Sequence, residues 1–249
     1  YNHENMRKNT LFIIRARAYL FSSNSKNHLA MKTFYLFRGF FLLICFTFLS
    51  TVCYAQAPGG YSTNMIVWWK ADAGVTGTSI VTGWEDQGMY GHNLIGVNDP
   101  ELIESDINFN PSIAFDGSND KMFVPGGIFD GNTYSDMFVV YVNVTKTTKN
   151  SFVFYEPLAS GKRFGSHVPW GNKHVYYDLG KCCNTSRIDT HWGTTINKYH
   201  IWTYGASSTT NSPTGTNKSI MRDGKTIVTN NRIDSGTGQN SDFYLGSVG

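Results

Sequence analysis

SIMRDGKTIVT, running from Ser219 to Thr229, places two short apolar runs on either side of Asp223-Gly224. Both central residues of a type I′ turn need positive φ, which Asp and Gly tolerate, and that turn matches the twist of two antiparallel strands. The segment reads as a β-hairpin with strands over Ser219–Met221 and Thr226–Thr229. Working outward, similar runs recur at Met65–Lys70, Ser112–Phe115, Met122–Val124, Ser151–Tyr155, Lys173–Asp178, Lys198–Tyr204 and Phe243–Leu245. Met137–Val144 (MFVVYVNV) is apolar at both parities, the pattern of a central strand covered on both faces. Polar turns separate the runs at Asp116–Asn119 and Lys146–Asn150, and Ser207–Asn217 is a polar loop between strands. No segment carries a helical period. Strands at intervals of about 8–12 residues predict an all-β fold, a sandwich of two antiparallel sheets.

Composition agrees. Charged residues are 16% of the 249, below the roughly 25% of an average soluble domain, and aromatics reach 15%. A chain so rich in aromatic and β-branched residues is not a disordered one. The formal charge of +3 is unevenly placed. Residues 1–55 hold seven Lys/Arg and one acid, leaving residues 56–249 with 14 bases against 17 acids. A net negative body without a basic block lacks the footprint of a nucleic-acid binder.

Five of the seven basic residues fall before Met31, and the other two open an expected secretory signal. Lys32 and Arg38 precede the 14-residue apolar run Gly39–Val52, and Cys53-Tyr54-Ala55 presents small residues around a cleavage after Ala55. That run is short of the roughly 20 apolar residues that span a bilayer. The expected organisation is therefore an upstream extension, untranslated or disordered, over 1–30, a signal peptide over 31–55, and one secreted domain over 56–249 without a membrane span. Beyond the leader only Cys182-Cys183 remain, which is neither a disulfide framework nor zinc-finger spacing. A vicinal disulfide stiffening a turn and two unbridged thiols are both open readings.

Further motifs carry a resemblance. Ala57-Pro58-Gly59-Gly60, Val67-Trp68-Trp69-Lys70-Ala71-Asp72-Ala73-Gly74-Val75, Trp84-Glu85-Asp86-Gln87 and Asn110-Pro111 occur in order. They are followed by Phe115-Asp116-Gly117-Ser118-Asn119-Asp120, Arg222-Asp223-Gly224 and Leu245-Gly246. From about Ala57 onward the chain resembles the LamG-like, concanavalin A-like jelly-roll domains of secreted Bacteroidetes-type surface proteins. The resemblance implies two packed antiparallel sheets, one concave. It also implies a closing strand after Leu245-Gly246 that pairs near the N-terminus, so the domain is expected to be truncated at Gly249 and followed by further domains.

The glucanases related to such domains carry a Glu-x-Asp-x-x-Glu strand motif, which is absent. Glu85 and Asp86 are neighbours and would point to opposite faces of a strand, so they cannot form the paired carboxylates of a glycosidase. Glu101 and Glu104 lie in a polar segment and read as solvated. There is no Gly-x-Ser-x-Gly elbow, no phosphate-binding loop and no His-Glu-x-x-His. His200 reads as a packed or edge residue. Asp116, Asn119 and Asp120 offer hard oxygens in one turn, as a Ca²⁺ site would; Asx-turn chemistry accounts for the same residues. No other cofactor is implied. Trp170 and Asn172 in Pro-Trp-Gly-Asn, Trp192 in His-Trp-Gly, and the nearby Tyr176 combine aromatic faces with polar partners, as sugar rings require. The default for Trp170 and Trp192 is packing, as it is for Trp68, Trp69 and Trp202. The expected function is a non-catalytic carbohydrate-binding or adhesion module of a larger cell-surface protein, contacting a glycan or cell-surface polymer. A glycoside hydrolase (or an accessory domain of one) and a structural spacer in an adhesin are the alternatives.

Overall fold

A computed structural model describes residues 57–60, 63–129, 135–143, 152–158, 161–167, 169–183, 187–192, 197–206, 218–230 and 241–246. The chain divides into two units, Tyr1–Tyr54 and Ala55–Gly249, and every described residue lies in the second. The leader, the turn at Lys146–Asn150 and the loop at Ser207–Asn217 lie outside the described residues.

The described part is all-β apart from a single turn of 3-10 helix at Pro58–Gly60. One sheet is built, in order, from β1 (Val75–Thr76), β2 (Gly83–Trp84), β3 (Leu94–Val97), β6 (Lys121–Val124), β15 (Phe243–Leu245), β8 (Phe152–Pro157), β9 (Lys162–His167), β10 (His174–Lys181) and β11 (Arg187–His191). A second is built from β14 (Lys225–Asn230), β13 (Lys218–Arg222), β12 (His200–Ala206) and β7 (Ser135–Tyr141). β4 (Glu101–Ile107) and β5 (Asn110–Ala114) form a separate hairpin. Each neighbouring pair is antiparallel.

The two larger sheets pack face to face through aromatic side chains. Phe154 of β8 meets Tyr204 of β12 edge-on with ring centres 5.3 Å apart, and Tyr177 of β10 lies 5.5 Å from the same ring. Trp192 stacks on Trp202 of β12 at 5.6 Å. A buried aromatic removes about 150–250 Å² from water, so these rings dominate the contact between layers. Lys218 of β13, itself buried, ties the layers at one end by donating from Nζ to the Leu179 carbonyl of β10 at 2.9 Å.

The hairpin expected at Asp223-Gly224 is present as β13–β14. Both turn residues have positive φ, 52° and 75°, and Arg222 pairs with Lys225 across a two-residue loop. Two expectations are corrected. Met65–Lys70 forms no strand; its nearest approach is an isolated bridge between Lys70 and Ala73. At Trp68 its backbone is tied to the turn at Asp86, whose carboxylate accepts from Trp68 N–H while Gln87 N–H donates to the Trp68 carbonyl. β7 is the end strand of its sheet, not a central one. Its inward residues pack on the core, but the outward Phe138 and Val140 are 69% and 54% exposed.

Gly96 and Gly83 sit in the neighbouring strands β3 and β2 with ordinary φ and very different space. A Cβ on Gly96 would lie 2.0 Å from the Val81 carbonyl oxygen, whereas on Gly83 the nearest atom is 3.6 Å away. Gly96→Ala is expected to destabilise the domain by about 2 kcal/mol or more, in the range of overpacking changes, and Gly83→Ala by much less. Urea unfolding midpoints of the two variants check this difference.

Candidate binding face on the large sheet

Along β10, Val175, Tyr177 and Leu179 point into the core, so His174, Tyr176 and Asp178 take the opposite face. Register carries that face across the sheet. Ile95, Phe123, Tyr244, Tyr155, Gly165, Asp178 and Arg187 are successive cross-strand partners from β3 to β11. Beside this row runs His167–Tyr176–Asp189, and beside that His174–His191. Directly opposed residues share one face at close range, so this face of the sheet carries a band of aromatic, imidazole and charged groups, with His167 and Asp178 buried within it.

Asp178 anchors the band. Its side chain has no exposed surface and lies between two guanidiniums from the flanking strands. Arg187 donates from Nε and Nη2 to the two carboxylate oxygens at 2.8 and 2.7 Å, and Arg163 donates from Nε at 2.7 Å. Burial alone would raise the Asp178 carboxyl, but hydrogen bonds from Arg187 and the charges of both arginines outweigh it and hold the group below its ordinary value. The arginines in turn cover rings: Arg187 lies 4.4 Å over Tyr176 and Arg163 5.2 Å over Phe152.

The β9–β10 connection places Trp170 and Asn172 at the edge of this band. Trp170 N–H donates to the His174 carbonyl, Lys173 N–H donates to the Trp170 carbonyl, and Lys173 adopts φ 67°. Asn172 braces the turn twice, accepting from His174 N–H at 3.1 Å and donating from Nδ2 to the Tyr176 hydroxyl at 2.5 Å. Trp170 stands perpendicular to Tyr176 at 6.4 Å and to His167 at 4.5 Å. Three of the four residues singled out for ligand contact, Trp170, Asn172 and Tyr176, thus converge on one hairpin.

Trp192 does not join them. It is 4% exposed, faces the core and stacks on Trp202 and Tyr141, so no ligand reaches it in this fold. In the turn at Asp116, Asn119 and Asp120, both aspartates accept from backbone N–H groups. Asp116 Oδ1 accepts from the N–H groups of Ser118, Asn119 and Asp120, which hold its carboxyl below the usual carboxylate range. Asp120 accepts from Asp99 and Asp116 N–H. This is the Asx-turn arrangement. Among the described residues no group of three or more His, Cys, Asp or Glu side chains is placed to hold a metal ion.

Cys182 and Cys183 are joined as a vicinal disulfide just past β10, with Cys183 at φ 73° and its sulfur 3.9 Å from Arg163 Nη2. Asp86 accepts from Trp68, Gly88 and His92 N–H and braces a turn. Glu101 and Glu104 are exposed on β4. His200 sits at the start of β12, its Nδ1 donating to Asp223 at 2.6 Å. A shallow cleft of about 290 Å³ between Ala71–Val75 and the β4–β5 hairpin includes Asp72 and Glu104; Asp72 is paired with Lys70 at 3.4 Å.

No sequence motif marks Asp178, Arg163, Arg187 or the His174–Asp189–His191 group as a unit. The signal for Asp178 was available: HVYYDLGK puts an acid mid-strand between apolar positions, where a charge must be paired. Nothing local identifies its partners, which lie 15 and 9 residues away.

No family model matches the chain, and no curated protein matches it.

Asp178→Asn leaves two partly buried guanidiniums without a counter-charge and is expected to cost about 3–5 kcal/mol at neutral pH. The folded-state carboxyl titrates below its unfolded value of 3.8, so its stabilisation is complete above that value and is lost as pH falls through the folded one. Urea unfolding at pH 7 and in acid should show a large gap between wild type and variant that narrows in acid. A gap independent of pH would contradict this.

Proposed function

We propose that this domain is a secreted, non-catalytic binding module whose outer large-sheet face takes a glycan or cell-surface polymer. The observation that carries the reading is the convergence of Trp170, Asn172 and Tyr176 on one turn, beside His174, Asp189 and Arg187. Sugar rings present apolar C–H faces and a rim of hydroxyls. Binding them takes partly exposed aromatic surface next to fixed donors and acceptors, held in place beforehand so that little ordering is left to binding. Trp170 and Tyr176 supply the surface, and Asn172 with the arginine–aspartate clamp fixes it. The resemblance to LamG-like domains supports the same assignment. In this reading the leader ending at Ala55 directs export.

Binding is tested by calorimetry or affinity electrophoresis on a polysaccharide panel. Trp170→Ala and Tyr176→Ala are each expected to weaken binding by about 30-fold, the scale of an aromatic anchor worth about 2 kcal/mol. Phe138→Ser, on the outer face of the other sheet, should leave it unchanged. A panel without a ligand, or affinity that survives both aromatic substitutions, overturns the proposal.

A further inference from the structure

We infer that His174 and His191 form a cross-strand clip for a divalent transition-metal ion of the zinc, nickel and copper group, with Asp189 positioning His174. The two histidines are directly opposed on β10 and β11. Trp192 N–H donates to the Lys173 carbonyl, which makes Lys173–Trp192 a hydrogen-bonded pair. Pair types alternate along an antiparallel ladder, so His174–His191 is a non-hydrogen-bonded pair, the kind whose side chains approach most closely. The imidazole centres are 5.7 Å apart.

That spacing suits one ion. A metal about 2.0–2.1 Å from each imidazole nitrogen lies about 3.2 Å from each ring centre, so two rings at a tetrahedral angle stand about 5 Å apart. Small rotations of the two rings close the difference.

Asp189 lies two residues before His191 on the same face, and its Oδ2 is 2.6 Å from His174 Nδ1. A carboxylate only accepts, so Nδ1 carries the proton and the lone pair sits on Nε2. This is the carboxylate–imidazole arrangement that orients metal-binding histidines and fixes their tautomer. All three residues are at the surface, with His174 and Asp189 side chains 34% and 41% exposed. Two imidazoles give nitrogen ligands to an ion whose remaining positions are filled by water. That donor set suits borderline transition metals and not Ca²⁺ or Mg²⁺, which take oxygen ligands.

The test is calorimetric titration of the full chain with Zn²⁺ in the absence of any glycan, so its outcome is independent of the binding proposal above. The expected result is one ion per chain at micromolar affinity, not displaced by excess Ca²⁺. His174→Ala and His191→Ala should each weaken binding at least tenfold, and His92→Ala should not. His174→Gln and His191→Gln, checked by circular dichroism, guard against a folding defect. Asp189→Asn should keep the stoichiometry and lower affinity by about tenfold, the lower end of second-sphere effects. On adding Zn²⁺, the His174 Nε2 resonance should shift selectively, and Asp189→Asn should erase that selectivity. Absence of binding at millimolar Zn²⁺, or affinity unchanged in both histidine variants, overturns the inference.

Discussion

A carboxylate with no exposed surface, held between guanidiniums on the two adjacent strands, fixes the register of β9, β10 and β11. Because side chains alternate with period two, sliding β10 by one residue would turn Asp178 into the core and bring Tyr177 out. The charge cannot follow, since a buried unpaired carboxylate costs far more than a misplaced apolar residue. The clamp therefore does more than stabilise: it decides that Tyr176 and His174 face outward and that Tyr177 and Val175 face the aromatic core. The make-up of the candidate binding face follows from that one alternation.

The two sheets present unlike outer surfaces. The large sheet shows rings interleaved with Arg163, Arg187, Asp189, His174 and His191, several of them already hydrogen-bonded in fixed orientations. The smaller sheet shows Phe138, Val140 and Ile201, exposed by 69%, 54% and 50%, with Val140 and Ile201 directly opposed on β7 and β12. The proposed glycan recognition is assigned to the first surface, because hydroxyl-rich ligands need preset donors and acceptors and gain little from aliphatic contact alone.

Local chemistry was legible in the sequence and long-range pairing was not. Asp223-Gly224 announced its hairpin because backbone conformation alone determines that turn. Strands β5, β6, β8, β10, β12, β13, β14 and β15 are readable from apolar runs. β1, β2 and β3 are too short, at two to four residues, to stand out as runs, and β4, β9 and β11 are interrupted by polar side chains over Glu101–Ile107, Lys162–His167 and Arg187–His191. Met65–Lys70 looked like a strand but finds its partners in a turn. MFVVYVNV looked doubly covered although one face is bare. Among the site residues, Trp170, Asn172 and Tyr176 lie within seven positions, so proximity in sequence became proximity in space. Trp192 has the same Trp-Gly context and the opposite orientation, because its indole is needed between Tyr141 and Trp202. Orientation relative to a sheet is a property of the sheet, and no dipeptide encodes it.

Hydroxyl-radical footprinting of the full chain with and without a bound polysaccharide reads the contacted surface directly. This account expects protection at Trp170 and Tyr176, with Phe138 and Met221 on the smaller sheet oxidised as before. Protection confined to Phe138 and Met221, with Trp170 and Tyr176 still reactive, would contradict it.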